Sequence, residues 1–354
     1  MVTGGVTEEL RRESLVNRHQ PVILLPRTFG LTLAFCFGLP LAQISGTLSG
    51  QTVPTDSILA LAHRLVAEAS LLANQGHHDE AENRLRRALT IRETALGLEH
   101  PDVALTLHNL GFIYNARGRY EEAEPLFQRA LTIRETALGP QHLEVALTLN
   151  SLAFIYGVRS RYEEAEPLYE RALAIREAVL GPAHPDVAFA MNNLAFFYAM
   201  QSRYAEAEPL YERALAIDEI VLGPNHLEVA HVLSNLGILY DDLGRYTEAR
   251  PVYERVLAIR EATLGPSHPD IASILINLAS LYYHQNQYAE AVPLYRRSLD
   301  IRKAELGPEH PDTSLALENL ILACELLLAQ PEEARQRQSG IATESAAVLC
   351  RLSP

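Results

Sequence analysis

The chain holds one lysine, Lys303, and sets 44 Asp+Glu against 30 Lys+Arg over 354 residues, for a formal net charge of −14. Phosphate contacts need clustered Lys and Arg, so this balance argues against nucleic acid as a partner. Cysteine is also scarce. Cys36, Cys324 and Cys350 are too few for a disulfide framework or a Cys-rich zinc site. Hydrophobic residues make up 48% of the chain, which excludes wholesale disorder and leaves ample material for a core.

The first 56 residues differ from the rest. Residues 1–27 are polar and carry Arg11, Arg12, Arg18 and Arg27; Thr28 to Thr55 carries no charge, and Phe29–Leu41 is its apolar part. A basic stretch, a short apolar run and then small residues follow the order of an export signal, because the apolar run partitions into a membrane while the basic flank stays behind. An uncleaved anchor over 28–48 is a second reading, and a disordered or misassigned leader is a third. No A-x-A cleavage site stands out, and Phe35 is too bulky to precede a lipidated Cys36. The expected location is therefore exported or membrane-anchored, with possible membrane association through 28–48; otherwise it is cytoplasmic. Abundant arginine beside one lysine fits a GC-rich bacterial genome.

From Ser57 onward the chain repeats itself. Histidines stand at 100, 142, 184, 226, 268 and 310; glycines at 97, 139, 181, 223, 265 and 307; prolines at 125, 167, 209, 251 and 293. Each step is 42 residues, a period that means stacked supersecondary units. In one unit, Gly181-Pro182 stops a helix, and His184-Pro185-Asp186 starts the next, where Pro suits the first turn and Asp the positive helix end. Val187, Met191, Leu194, Ala195 and Tyr198 form an apolar face at helical spacing. Ser202-Arg203 breaks that helix, and a second runs from Tyr204 to Leu222.

The stretch Leu107, Leu110, Gly111, Tyr114, Ala123, Phe127, Ala130 and its copies resemble the tetratricopeptide repeat (TPR), in the 42-residue variety of the kinesin light chain family. Strings such as Met191-Asn192-Asn193-Leu194-Ala195 and Leu222-Gly223-Pro224-Asn225-His226 carry the kinesin-like flavour. The resemblance implies an all-α, right-handed TPR superhelix, an α-solenoid of six helical hairpins, a partial seventh and a capping helix. It predicts hairpins at 57–97, 99–139, 141–181, 183–223, 225–265 and 267–307, a seventh first helix at 309–329, and the array as a whole over 57–329. Residues 1–56 form the leader. Residues 330–354 read as a capping tail, since a terminal repeat must cover its exposed face.

No catalytic set stands outside the repeat, so the chain reads as a non-enzyme with no cofactor, metal or small-molecule substrate. The phased histidines sit one per unit, whereas metal ligands must converge on one ion at about 2.0–2.3 Å; they read as side chains packing before each helix. Cys324 occupies the slot that other units fill with Tyr, and reads as a small core residue; pairing with Cys350 is available if the chain is exported. Asn109, Asn193, Asn235, Asn277 and Asn319 recur in phase and read as architectural hydrogen-bonding groups between helices or to a loop.

By resemblance, the first helix of each pair lines a concave groove, and its variable positions are the candidate binding residues. These are His108, Phe112, Asn115, Asn150, Phe154, Asn192, Phe196, Ser234, Asp241 and Tyr283. Phenylalanine supplies burial, and Asn can pair with both groups of a peptide backbone. Kinesin light chains take acidic peptides on basic grooves. Here Asp241, Asp242, Glu318 and Glu325 favour a basic or neutral segment at one end. The expected function is a non-catalytic scaffold holding a peptide or partner domain. A structural part of a membrane-tethered envelope assembly and a regulatory module for a separately encoded effector are the alternatives.

Overall fold

The computed structural model describes residues 55–332 together with Ala346, Val348 and Cys350. The leader apart from residues 55 and 56, and most of the 330–354 tail, lie outside the described residues. All secondary structure among the described residues is helical, in two compact units that divide after Pro140.

The first unit holds α1 (Thr55–Asn74), α2 (His78–Leu96), α3 (Pro101–Ala116) and α4 (Tyr120–Leu138). The second holds α5 (Leu143–Val158), α6 (Tyr162–Leu180), α7 (Pro185–Met200), α8 (Tyr204–Val221), α9 (Leu227–Asp242), α10 (Tyr246–Leu264), α11 (Pro269–His284), α12 (Tyr288–Leu306) and α13 (Pro311–Ala329). Within each unit consecutive helices pair as hairpins and each hairpin packs on the next. These are the expected hairpins, and within each unit they stack as an all-α solenoid.

The phased histidines turn out to start the helices. His100, His142, His184, His226, His268 and His310 are N-caps, and each Nδ1 accepts a hydrogen bond from the backbone N–H two residues on, at 3.1–3.2 Å. Four unsatisfied N–H groups open any α-helix, so a side-chain acceptor there stabilises it by about 1 kcal/mol. The acceptor role fixes the imidazole tautomer: the proton must be on Nε2. In the first unit's second hairpin, α3 ends in a Schellman turn. Arg119 N–H reaches Tyr114 O at 2.8 Å, and Gly118 N–H reaches Asn115 O at 2.9 Å, around a left-handed residue. Ser160, Ser202 and Asn286 hold that left-handed place elsewhere, each at φ 59°.

Small residues set the hairpin spacing. A Cβ on Gly237 would meet Tyr253 Cε1 at 2.5 Å, so the ring packs against bare backbone there. The same slot holds Gly111 opposite Phe127, and alanine in other units. The core of the first unit includes Val103, Ala104, Leu107, Ala130 and Ile133; that of the second includes Ile271, Ala272, Leu275 and Ile301.

Two polar devices tie successive hairpins. At the outer turns, Arg203 forks onto Glu166 of α6 at 2.8 Å and onto Glu206 at 2.7 Å, with its guanidinium 4.2 Å above the Tyr198 ring. Arg245 repeats this with Glu208, Glu248 and Tyr240, and in the first unit Arg119 does so with Glu82, Glu122 and Tyr114. Deeper in, a buried arginine near the end of a second helix donates to a carbonyl in the next first helix. Arg92 Nη1 reaches Asp102 O at 2.8 Å and Thr106 Oγ1 at 2.8 Å. Arg260 Nη1 reaches Asp270 O at 3.2 Å, and Arg302 Nη1 reaches Asp312 O at 2.8 Å. Arg176 holds the same slot and lies over the Phe189 ring. At the α8–α9 junction the slot holds Asp218 instead, 4% exposed. Burial pushes its carboxyl up to about 7, and Glu228 adds to the rise. α8 also ends differently: its C-cap is Leu222 in a helical conformation, where α2, α4, α6, α10 and α12 end on a left-handed glycine.

Candidate functional site

The inner-face candidates fall into two sets, one in each unit. In the first, His108 is buried against the edge of Phe127, with ring centroids 5.1 Å apart and its Nδ1 3.4 Å from Arg134 Nη1. Burial holds its pKa well below the usual histidine range, and Arg134 adds to the fall, so the ring is neutral. Phe112 is half-buried. It shares a small cavity of about 20 Å³, room for about one water, with Ala69, Ser70, Ala73, Leu85, Asn109 and Ile113. Asn115 Oδ1 is buried and accepts no hydrogen bond.

In the second unit the asparagines pair with one another. Asn193 Nδ2 on α7 donates to Asn150 Oδ1 on α5 at 3.1 Å, and Asn235 Nδ2 on α9 donates to Asn192 Oδ1 at 2.9 Å. The phased asparagines thus use two candidate groove residues as their acceptors. The first helices come close enough here to bury Asn150, Phe154, Asn192 and Ser234. Ser234 Oγ donates to Ala230 O at 2.6 Å and receives Arg260 Nη2 at 3.1 Å. Phe196 remains half-buried. Of the ten residues placed on the inner face by counting along the repeat, His108, Asn150, Phe154, Asn192 and Ser234 present little surface to a ligand; Phe112, Asn115, Phe196, Asp241 and Tyr283 present more.

Asp241 and Tyr283 lie near the C-terminal ends of α9 and α11. Asp241 Oδ1 is buried and accepts no hydrogen bond; His284 Nδ1 stands 3.9 Å away. Asp242 receives the Tyr204 hydroxyl at 3.4 Å, and burial raises its pKa, with the Asp241 charge adding to the rise. Tyr246 lies 6.2 Å from the His284 ring, and Tyr283 packs edge-on to Tyr288 at 5.3 Å. Asp242 thus has the Tyr204 hydroxyl on it, and Tyr246 approaches Asp241 by way of the His284 ring. Tyr204, Tyr246 and Tyr288 were not among the residues picked from sequence. The signal was present: tyrosine opens every second helix from Tyr120 to Tyr288 at the 42-residue step, where it borders the end of the preceding first helix. Among the described residues no three His, Cys, Asp or Glu side chains are placed to hold a metal ion.

The tetratricopeptide repeat profile matches six times, over residues 60–136, 102–178, 144–219, 186–262, 242–304 and 270–338. The chain belongs to the tetratricopeptide repeat family. Its units are of the kinesin-light-chain type. The structure of BtubC (BKLC) from P. vanneervenii is 26% identical, with a TM-score of 0.52, covering 73% of this chain and 95% of that one. A putative kinesin light chain from Podosopora anserina is 27% identical over 61% of this chain and 99% of its own, with a TM-score of 0.49. PilW, described as a type IV pilus biogenesis factor, is 16% identical over 72% of this chain and 98% of its own, at a TM-score of 0.52, which is a likeness of fold. Among curated proteins no sequence match is found. TPR arrays are typically non-catalytic scaffolds for protein or peptide partners, and the fold of this chain is of that kind.

Proposed function

We propose that the chain is a non-catalytic scaffold whose inner face takes a peptide or a segment of a partner domain, and that the segment brings a basic side chain to the α9–α11 end. The observation that carries this is Asp241 Oδ1, a buried acceptor that receives no hydrogen bond and lies beside Asp242. A buried carboxylate oxygen without a donor costs free energy, and a guanidinium or ammonium group supplies both donor and charge. The tyrosine faces add attraction for the same cation. Along the second unit, the half-buried Phe196 offers apolar contact. In the first unit, Asn115 and Phe112 offer the same pairing of an unfilled acceptor with an aromatic surface.

The test is a peptide array probed with the purified chain. Arginine-centred peptides should be retained over aspartate-centred ones, and Asp241→Asn with Asp242→Asn should weaken the selected peptide by at least about tenfold. Equal retention of acidic and basic peptides by a folded chain refutes the proposal.

One observation favours the exported reading over the cytoplasmic one: Cys324 and Cys350 form a disulfide, and such bonds persist in oxidising compartments. No helix of the described residues is long and apolar enough to cross a membrane, and the 28–48 segment lies outside them. Cell fractionation with and without residues 1–50 checks this reading: export requires the full-length chain to leave the cytosol and the truncated one to remain there.

A further inference from the structure

Position 324 falls in the 42-residue phase of Tyr114, Tyr156, Tyr198, Tyr240 and Tyr282, yet it holds cysteine. Among the described residues no second helix follows α13 to complete its hairpin. The side of α13 that packs on α12 is buried, whereas Ile321, in the slot where Gly111 and Gly237 meet a second-helix ring, is 39% exposed. Ala316, Leu320, Ala323, Cys324 and Leu327 join α12 residues in one apolar cluster, and that cluster also takes in Ala346 and Cys350 from the tail. Ala346 has no exposed surface, and Cys350 N–H donates to Ala346 O at 3.1 Å, which is one helical turn. At the other end of the connection, Gln330 Nε2 donates to Asn286 O at 2.9 Å and fixes how the chain leaves α13. The Cα atoms of Cys324 and Cys350 lie 5.5 Å apart, a spacing that a disulfide bridges without backbone movement.

We propose that the tail around Ala346 and Cys350 is an end cap fastened to α13 by a native Cys324–Cys350 disulfide, and that this protein completes its folding where a disulfide donor is present. Repeat arrays leave an apolar face at each end, and a terminal cap keeps that face from water and from other copies. Ala346 and Cys350 add a small apolar area to the cluster, so packing alone fastens the tail weakly. The cross-link supplies the difference by limiting how far the tail strays in the unfolded chain. The formation step is thiol–disulfide exchange. One cysteine thiolate attacks the donor's S–S bond and expels one donor thiol, leaving a mixed disulfide. The second cysteine displaces the remaining donor sulfur. The two protein thiols lose two electrons and two protons, and both appear on the donor as two thiols. Tyr283 and Tyr288 pack against the same apolar cluster, so the cap is tested on the cross-link and on α13 exchange, without any peptide.

The test uses the full chain equilibrated in oxidised glutathione and again in excess dithiothreitol. In the oxidised sample, peptide mapping should find Cys324 and Cys350 linked to each other. On reduction, amide exchange should quicken at least tenfold in α12 and α13 and stay unchanged in α5–α7. In Cys350→Ser the quicker exchange should be present from the start and insensitive to reductant. Cysteines carrying glutathione instead of the cross-link, or α13 amides equally protected in both samples, would overturn the cap. For the compartment, alkylation of intact source cells should leave Cys324 and Cys350 unmodified; alkylated thiols at both overturn that half.

Discussion

The junction between α8 and α9 and the junction between α10 and α11 share the hairpin plan and the histidine cap, but the fork of Arg245 on Glu208 at the first gives way to Gln287 and Arg250 at the second, and one buried slot carries opposite chemistry. At the α10–α11 junction, Arg260 donates across to Asp270 O and Ser234 Oγ. At the α8–α9 junction, Asp218 has no proton to donate when ionised and faces Glu228. The first arrangement holds two hairpins together through a charged donor and a neutral carbonyl. The second places a buried acid beside a second acid. An array that looks uniform along its length therefore holds, at the α8–α9 joint, a buried acid whose ionisation weakens the packing as pH rises.

The largest expected effect follows from that acid. Below about pH 4 Asp218 carries its proton in both the folded and the unfolded chain and contributes nothing. Between an ordinary 3.8 and about 7 the unfolded chain sheds the proton while the folded chain keeps it, so stability falls as pH rises through this window. The loss at the joint reaches up to about 4 kcal/mol and persists above it. Asp218→Asn should remove the dependence, raising protection of α9 amides most at pH 8 and by only about 1 kcal/mol at pH 4.5. Equal exchange profiles for the two chains at both pH values would contradict the comparison. Arg302→Met tests the opposite arm: it leaves Asp312 O without its donor, and should cost about 2–3 kcal/mol of protection in α13. Because no titrating carboxylate is involved, that loss should be flat between pH 5 and 8.

Two smaller changes sharpen the contrast. His226→Ala and His268→Ala each remove an N-cap acceptor and should each cost about 1 kcal/mol. At pH 8 the former should open α9 more readily than the latter opens α11, because its joint is already weakened. Ser202→Gly, at φ 59° in the turn before α8, should stabilise by about 0.5–1 kcal/mol. It acts at a turn away from the joint, so urea midpoints should rise by the same amount at pH 5 and pH 8.

The helices, their order and their starting residues are legible in the sequence because each one is written several times over. A proline or glycine that is ambiguous once is not ambiguous at a fixed step. The break at Asp218 was harder to see. Arginine stands at 92, 134, 176, 260 and 302, but a charged residue near the end of an outer helix ordinarily reads as a solvated face; only its burial reveals that the exception matters. The inner face was legible as a surface and less so as a list. Counting along one helix does not register how near the neighbouring helix comes, and the Asn193–Asn150 and Asn235–Asn192 pairs bring α5, α7 and α9 close enough to cover residues such as Asn150 and Asn192. Tyr204 and Tyr246 come from second helices, so no count restricted to first helices reaches them.

The capping imidazoles have a practical consequence. Six chemically equivalent rings held in one tautomer form a set of spectroscopic probes, one at each first-helix start from α3 to α13. Their nitrogen resonances should cluster while every cap is made, and each should leave the cluster when its own helix frays. A single nuclear magnetic resonance spectrum could then map, unit by unit, the order in which the array comes apart.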